Sequence, residues 1–143
     1  MPHVLVVDDD PLVCDALSDC FREELRARVD CAQSGLDGAK LLKCCQYDLA
    51  LIEAVLPDVD GLRLAELAAN ENIGILLISG HPDACNQLAK FKFPHLKKPF
   101  GFGIMIEEAA TIIQETWDNI RRVREAAAKM RAQTKALTLT LQE

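Results

Sequence analysis

Several features that would assign a function at once are missing from these 143 residues. No apolar run approaches the roughly 20 residues of a membrane-spanning helix. The first residues lack the basic-then-apolar layout of a secretory signal, so a cytoplasmic setting is expected. The six cysteines, Cys14, Cys20, Cys31, Cys44, Cys45 and Cys85, contain no Cys-x-x-Cys pair and have no His-x-x-x-His partner. That excludes the usual spacings of a structural zinc site. Most of them stand in apolar patterns and are expected to be small buried hydrophobes. A redox or metal role for Cys44-Cys45 would require exposure. No internal repeat and no low-complexity tract breaks the chain, which excludes solenoids and disordered linkers.

What is present suits one globular domain large enough to bury a core without disulfides or metals. Half the residues are apolar and 27% are charged. The net charge of −6 is unevenly spread. From Asn119 onward six basic residues (Arg121, Arg122, Arg124, Lys129, Arg131, Lys135) face only Glu125 and Glu143, whereas acids outnumber bases before it. The change marks a candidate boundary between residues 1–117 and 118–143.

Val4-Leu-Val-Val7 is a continuous apolar run of the kind buried on both faces of a parallel sheet. Three acids, Asp8, Asp9 and Asp10, follow it. Asp10 before Pro11 reads as an N-cap with proline at the first helical position. Leu12, Ala16, Leu17, Cys20, Phe21 and Leu25 then recur at helical spacing to about Arg26. Arg28–Ala32 is a second strand, and His3 is expected at a strand edge. Ser34 with Asp37 resembles a capping box opening a helix through Leu36, Ala39, Leu41 and Leu42. Asp48–Ile52 is a third strand ending at Glu53. Asp58 suits the following turn, and Asp60 caps a helix ending near Asn70. Ile73–Ile78 is a fourth strand, closed by Ser79-Gly80. A short helix fits Pro82 to about Lys90. Phe93 to Phe100 reads as a fifth strand closed by Lys98-Pro99, and a long helix starts near Gly101. Five βα units in succession predict a parallel sheet with helices on both faces.

In such a sheet all strand ends lie along one edge, so Asp8, Asp9, Glu53, Ser79 and Lys98 converge there. Crowded carboxylates repel and need a cation to stay ionised. Hard oxygen ligands with water suit Mg²⁺, and Lys98 supplies further positive charge. A hydroxyl and an ammonium beside a carboxylate–metal site are what an incoming phosphoryl group needs for its equatorial oxygens. At this point the chain resembles the receiver domain of two-component response regulators. Val-Val-Asp8-Asp9-Asp-Pro, Asp48-Leu-x-Leu-Ile, Leu-Pro57-Asp-x-Asp60-Gly61, Ile-Ser79-Gly and Lys98-Pro99-Phe100 occur in the family's order, from about Pro2 to Thr116. The resemblance implies a flavodoxin-like (βα)5 fold, a three-layer α/β sandwich of strand order 2-1-3-4-5. It implies a Mg²⁺ site using Asp8 and Asp9, a phosphate-sensing hydroxyl at Ser79 and a phosphate-binding amine at Lys98. It also implies a histidine kinase or a downstream signalling protein as partner.

Two departures matter. The family's phosphoacceptor is an aspartate, and Glu53 stands in that place. The family's switch aromatic usually precedes the lysine by three residues, and His95 stands there. Glutamate carries its carboxylate on the order of 1.3 Å further along the side chain. It therefore either still reaches Mg²⁺ or takes Lys98 instead, leaving Asp8 and Asp9 to water. A Glu53–Lys98 pair would hold the activated arrangement without phosphate, while the same extension misplaces a nucleophile. The expectation is a phosphorylation-independent receiver acting by protein–protein contact rather than an enzyme. The alternative is a Mg²⁺-dependent phosphoacceptor served by a histidine kinase. His81 has an ordinary reading as a loop residue.

The last helix is longer than one domain needs. Ile106, Ala109, Ile113, Thr116, Ile120, Val123, Ala127, Met130, Thr134 and Leu137 alternate in steps of three and four. Trp117 falls at the junction of body and extension as a packing residue. Residues 118–143 are expected to project as a helical extension that pairs with a partner helix, most simply in a homodimer. A basic helix without aromatic or Gly-rich interleaving, on a chain without a helix-turn-helix pattern, argues against DNA as partner.

Overall fold

The computed structural model describes residues 1–81 and 93–142, so the helix expected at 82–90, together with Cys85, lies outside the described residues. The elements are β1 (His3–Val7), α1 (Pro11–Leu25), β2 (Arg28–Ala32), α2 (Gly35–Cys44), β3 (Leu49–Glu53), α3 (Gly61–Asn70), β4 (Gly74–Ser79), β5 (His95–Lys97) and α4 (Phe102–Gln142). The sheet is wholly parallel, in the order β2-β1-β3-β4-β5. This is the expected flavodoxin-like arrangement.

Strand alternation divides the core between two helical layers. Val4, Val6, Leu49, Leu51, Leu76 and Ile78 face α1 and α4, meeting Leu17, Phe21, Met105, Ala109 and Ile113. Leu5, Val7, Ala50, Ile52 and Leu77 face α2 and α3, meeting Leu42, Leu64, Ala65 and Ala68. Successive side chains of a strand point to opposite faces, so only an unbroken apolar run fills both layers. Each fully buried side chain of this size contributes about 1.5–3 kcal/mol relative to exposure.

The caps follow the sequence. Asp10 accepts from Leu12 N, Ser34 from Asp37 N and Asp60 from Leu62 N. Asp58 departs from its expected turn role: its two carboxylate oxygens accept from Gly35 N and Leu36 N, each at 2.9 Å. It thus serves as a cap for α2 supplied by the loop after β3. Two backbone amides at a helix start hold that carboxyl below the ordinary carboxylate value.

Two other expectations are corrected. Among the described cysteines only Cys14 is buried, where desolvation pushes its thiol up to about 12. Cys20 and Cys45 are half-buried, while Cys31 on edge strand β2 and Cys44 in the last turn of α2 are exposed. His3 is no edge residue, because β1 lies between β2 and β3. Its Nε2 is 2.9 Å from Asp30 Oδ2, and its ring packs on Tyr47 at 4.4 Å between centroids. Tyr47 donates to the same Asp30 oxygen at 2.8 Å. Burial opposes the charge on Asp30, but these two hydrogen bonds outweigh it and hold the carboxyl below its ordinary value.

α4 crosses the start of β4 at Gly74. A Cβ there would stand 2.7 Å from both Ile112 Cγ2 and Thr116 Oγ1, so only glycine admits the helix this close. At the next residue, Trp117 Nε1 donates to Asp48 Oδ1 at 2.7 Å, while Asp48 Oδ2 accepts from His3 N at 2.7 Å. A single carboxylate therefore ties the helix to the sheet; the tryptophan at the junction, expected to pack, is 39% exposed and is held by this hydrogen bond. No helix among the described residues is long and apolar enough to cross a membrane.

Candidate functional site

The C-terminal ends of β1, β3, β4 and β5 meet at a cavity of about 450 Å³ lined by Asp8, Asp9, Asp10, Glu53, Val55, Leu56, Pro57, Gly80, His81 and Lys98. Backbone contacts fix the depth of each contributor. Ala54 N donates to Ile78 O at 2.9 Å, and Lys98 N to Ser79 O at 2.8 Å. Gly61 brings α3 hard against β3. Its amide donates to Ala54 O at 3.0 Å, and a Cβ there would run into Glu53 O.

Asp8 is 1% exposed and Glu53 4%. Two buried carboxylates need compensating charge, and Lys98 brings it. Its Nζ donates to Asp8 Oδ2 at 2.9 Å and lies 2.8 Å from Glu53 Oε2. The second contact is an ion pair by distance but falls off hydrogen-bond direction, so Oε2 is buried without a hydrogen-bond partner. Glu53 Oε1 accepts weakly from Val55 N at 3.3 Å, and Asp8 Oδ1 accepts from Asp10 N at 2.9 Å. Burial disfavours the Lys98 ammonium, but the close contacts and negative charges of Glu53 and Asp8 outweigh it. Lys98 is held above its ordinary 10.5.

Ser79 is completely buried at the end of β4, and its Oγ accepts from His81 N at 3.2 Å. Asp9 is exposed at the mouth of the cavity. His95 is exposed on β5, its Nδ1 3.4 Å from Phe93 O, and is not part of the cavity lining. The structure therefore gathers Asp8, Glu53 and Lys98 tightly, sets Ser79 behind them and leaves Asp9 at the rim.

The carboxylates do not converge into a Mg²⁺ ligand set as they stand. Among the described residues, no three His, Cys, Asp or Glu side chains gather to hold a metal ion. The Lys98 ammonium lies between the Asp8 and Glu53 carboxylates, in contact with both, and supplies one positive charge against their two negative ones. The Glu53 side chain is long enough to reach the lysine. Sequence reasoning gave the loop residue Asp58 a turn role but missed its cap, which fixes the segment beyond Glu53 to the start of α2. A carboxylate two positions before another N-cap aspartate was the available signal.

The response regulator receiver domain model matches residues 4–110. The transcriptional regulatory protein AruR of Pseudomonas aeruginosa is 31% identical over 137 residues, covering 90% of this chain and 53% of that protein. The DNA-binding dual master transcriptional regulator RpaA of Synechocystis is 28% identical over 123 residues, covering 81% of this chain and 51% of that protein. The chain thus spans about half the length of the curated relatives it matches. Among solved structures, the receiver domain of a Francisella response regulator superposes with a TM-score of 0.71 at 24% identity, covering 81% of this chain and 99% of that one. The receiver domain of the sensor histidine kinase PA1611 from Pseudomonas aeruginosa, with a magnesium ion coordinated in its active-site cleft, superposes with a TM-score of 0.68 at 22% identity. It covers 79% of this chain and 98% of that one.

Proposed function

Because the chain belongs to the response regulator receiver domain family, we propose that this receiver signals without phosphorylation, with Glu53 standing in for the phosphorylated acceptor. The observation that carries the reading is Lys98 Nζ held at 2.8 Å from Glu53 Oε2 and 2.9 Å from Asp8 Oδ2. In the family that amine meets the incoming phosphoryl group. Here a longer carboxylate engages it permanently, and the negative charge sits where a phosphoryl group would add its own. The same ion pair holds the carboxylate against Lys98 and away from in-line attack, which tolerates little misplacement.

Receiver domains generally bind Mg²⁺ in this site and generally are not enzymes. In this chain Lys98 competes with the ion for Asp8 and Glu53, so Mg²⁺ affinity is weak unless the lysine moves out. Asp8 and Asp9 are the residues left to hold it. Output then runs through protein contact, with a histidine kinase or a downstream signalling protein as partner. The face from β5 to the start of α4 suits that role, since His95, Phe102 and Ile104 are exposed there.

Incubation with acetyl phosphate and Mg²⁺, followed by intact-mass measurement, tests the reading. The expected result is an unmodified chain. A stoichiometric phosphoryl adduct on Glu53 overturns it and establishes a working phosphoacceptor. In the same assay Glu53→Asp is expected to gain an adduct, because the shorter carboxylate withdraws from Lys98.

A further inference from the structure

Up to Thr116 the apolar stripe of α4 is used by the chain's own sheet, with Ala109 and Ile113 buried. The three-and-four spacing then continues unbroken through Ile120, Val123, Ala127, Met130, Thr134 and Leu137. Beyond Ile120, which is half-buried beside the body, none of the described residues covers it. Val123, Met130 and Leu137 are 68%, 67% and 60% exposed, and Leu141, next in step, is 78% exposed. A solvated helix draws its stability from packing an apolar face, and from Val123 onward the large apolar side chains of this stretch are exposed.

We propose that the chain from Asp118 onward is a pairing segment whose stripe is covered by a second copy, in a parallel, in-register, two-stranded coiled coil. The proposal does not depend on the state of Glu53. Three features of the helix select this occupant. The 3.5-residue repeat is the period of a left-handed two-helix seam, and β-branched Ile120 and Thr134 at one seam position with Leu137 at the other favour two strands. The flanks of the seam differ in charge. Arg124 and Arg131 lie on one side, with Asn119, Ala126 and Gln133 on the other. Parallel pairing sets each flank against the opposite one, so Ala126 faces Arg131 of the second copy and no like charges meet. Antiparallel pairing sets arginine against arginine. Finally, the stripe does not begin clear of the body. Trp117, Ile120 and Val123 form one wall of a groove of about 1090 Å³ whose other wall includes Cys44, Tyr47 and Asn72, leaving room for a second helix to run up to the domain.

Sedimentation equilibrium of the full chain through the micromolar range is the first measurement, and a monomer–dimer equilibrium is expected. Met130→Glu with Leu137→Glu is expected to leave a monomer with the body's circular dichroism intact, because both side chains are exposed in the single chain. A monomer at every concentration overturns the proposal, including one that binds an acidic helical peptide instead. So does a trimer, or a dimer that survives the double substitution. Orientation is read from Ala126→Glu against Ala126→Gln. In the parallel arrangement the new carboxylate meets Arg131 of the second copy twice per dimer and tightens association by about fivefold. No tightening, or a loosening, overturns the parallel arrangement.

Discussion

Lys98 is one ammonium shared by two buried carboxylates, and removing it would leave both uncompensated. Lys98→Met is therefore expected to lower stability by about 3 kcal/mol, the low end for breaking a buried pair, because the lysine side chain is itself 28% exposed. Urea unfolding at neutral pH measures it. A loss below about 0.5 kcal/mol would mean that the carboxylates find water or each other instead. The pH dependence has a definite sign. Lys98 is held above its ordinary 10.5, so its contribution is complete below that value and lost as pH rises through the folded-state value. Wild type and Lys98→Met should converge in stability at strongly alkaline pH. The residues of this cluster were legible in the sequence because strand ends in a parallel sheet share an edge. The depth at which Glu53 meets Lys98 was not, since it turns on one methylene and on side-chain geometry no spacing encodes. The cysteines misled because an apolar sequence neighbourhood says nothing about whether a strand is an edge or a helix is ending.

At the scale of elements, the close crossing of α4 over β4 rests on Gly74. Gly74→Ala is expected to cost about 1–3 kcal/mol, the range for overpacking, as Ile112 and Thr116 are pushed away. A loss of the Trp117–Asp48 hydrogen bond should accompany it, seen as a shift in the emission of the single tryptophan. A stability unchanged from wild type would place the helix further from the sheet than described. Asp58 gives the second test. Its carboxyl is held below the ordinary value by the α2 amides, so its contribution is present at neutral pH and lost as pH falls through its folded-state value. The gap in urea midpoint between wild type and Asp58→Asn should therefore close on acidification, and a constant gap would argue against the capping role. Element type and order followed from the apolar runs and caps, and the boundaries of β2 coincide with those expected. What the sequence withheld were the long-range side-chain contacts. The Asp58 cap joins positions 23 residues apart, and the Asp48–Trp117 bond joins positions 69 apart. Neither leaves a local spacing to read.

At the scale of the whole molecule, an acidic body carries a basic helical extension. If the extension pairs, folding and association are linked, and the melting temperature of the full chain should rise with protein concentration. The double substitution Met130→Glu and Leu137→Glu should abolish that dependence, as calorimetry at two concentrations would show. A concentration-independent melting temperature in wild type would count against pairing. The geometry of α4 has one more consequence. The helix last touches the sheet near Thr116 and Trp117, and some 25 residues at 1.5 Å each carry its tip about 38 Å further. Over that arm a tilt of about 8° moves the tip by roughly 5 Å, close to the 5.4 Å pitch of one helical turn. Displacements too small to notice at the sheet thus become, at the far end, as large as the spacing between successive turns. In that sense the molecule is built as a lever, with its fulcrum at a glycine and its pin at an aspartate.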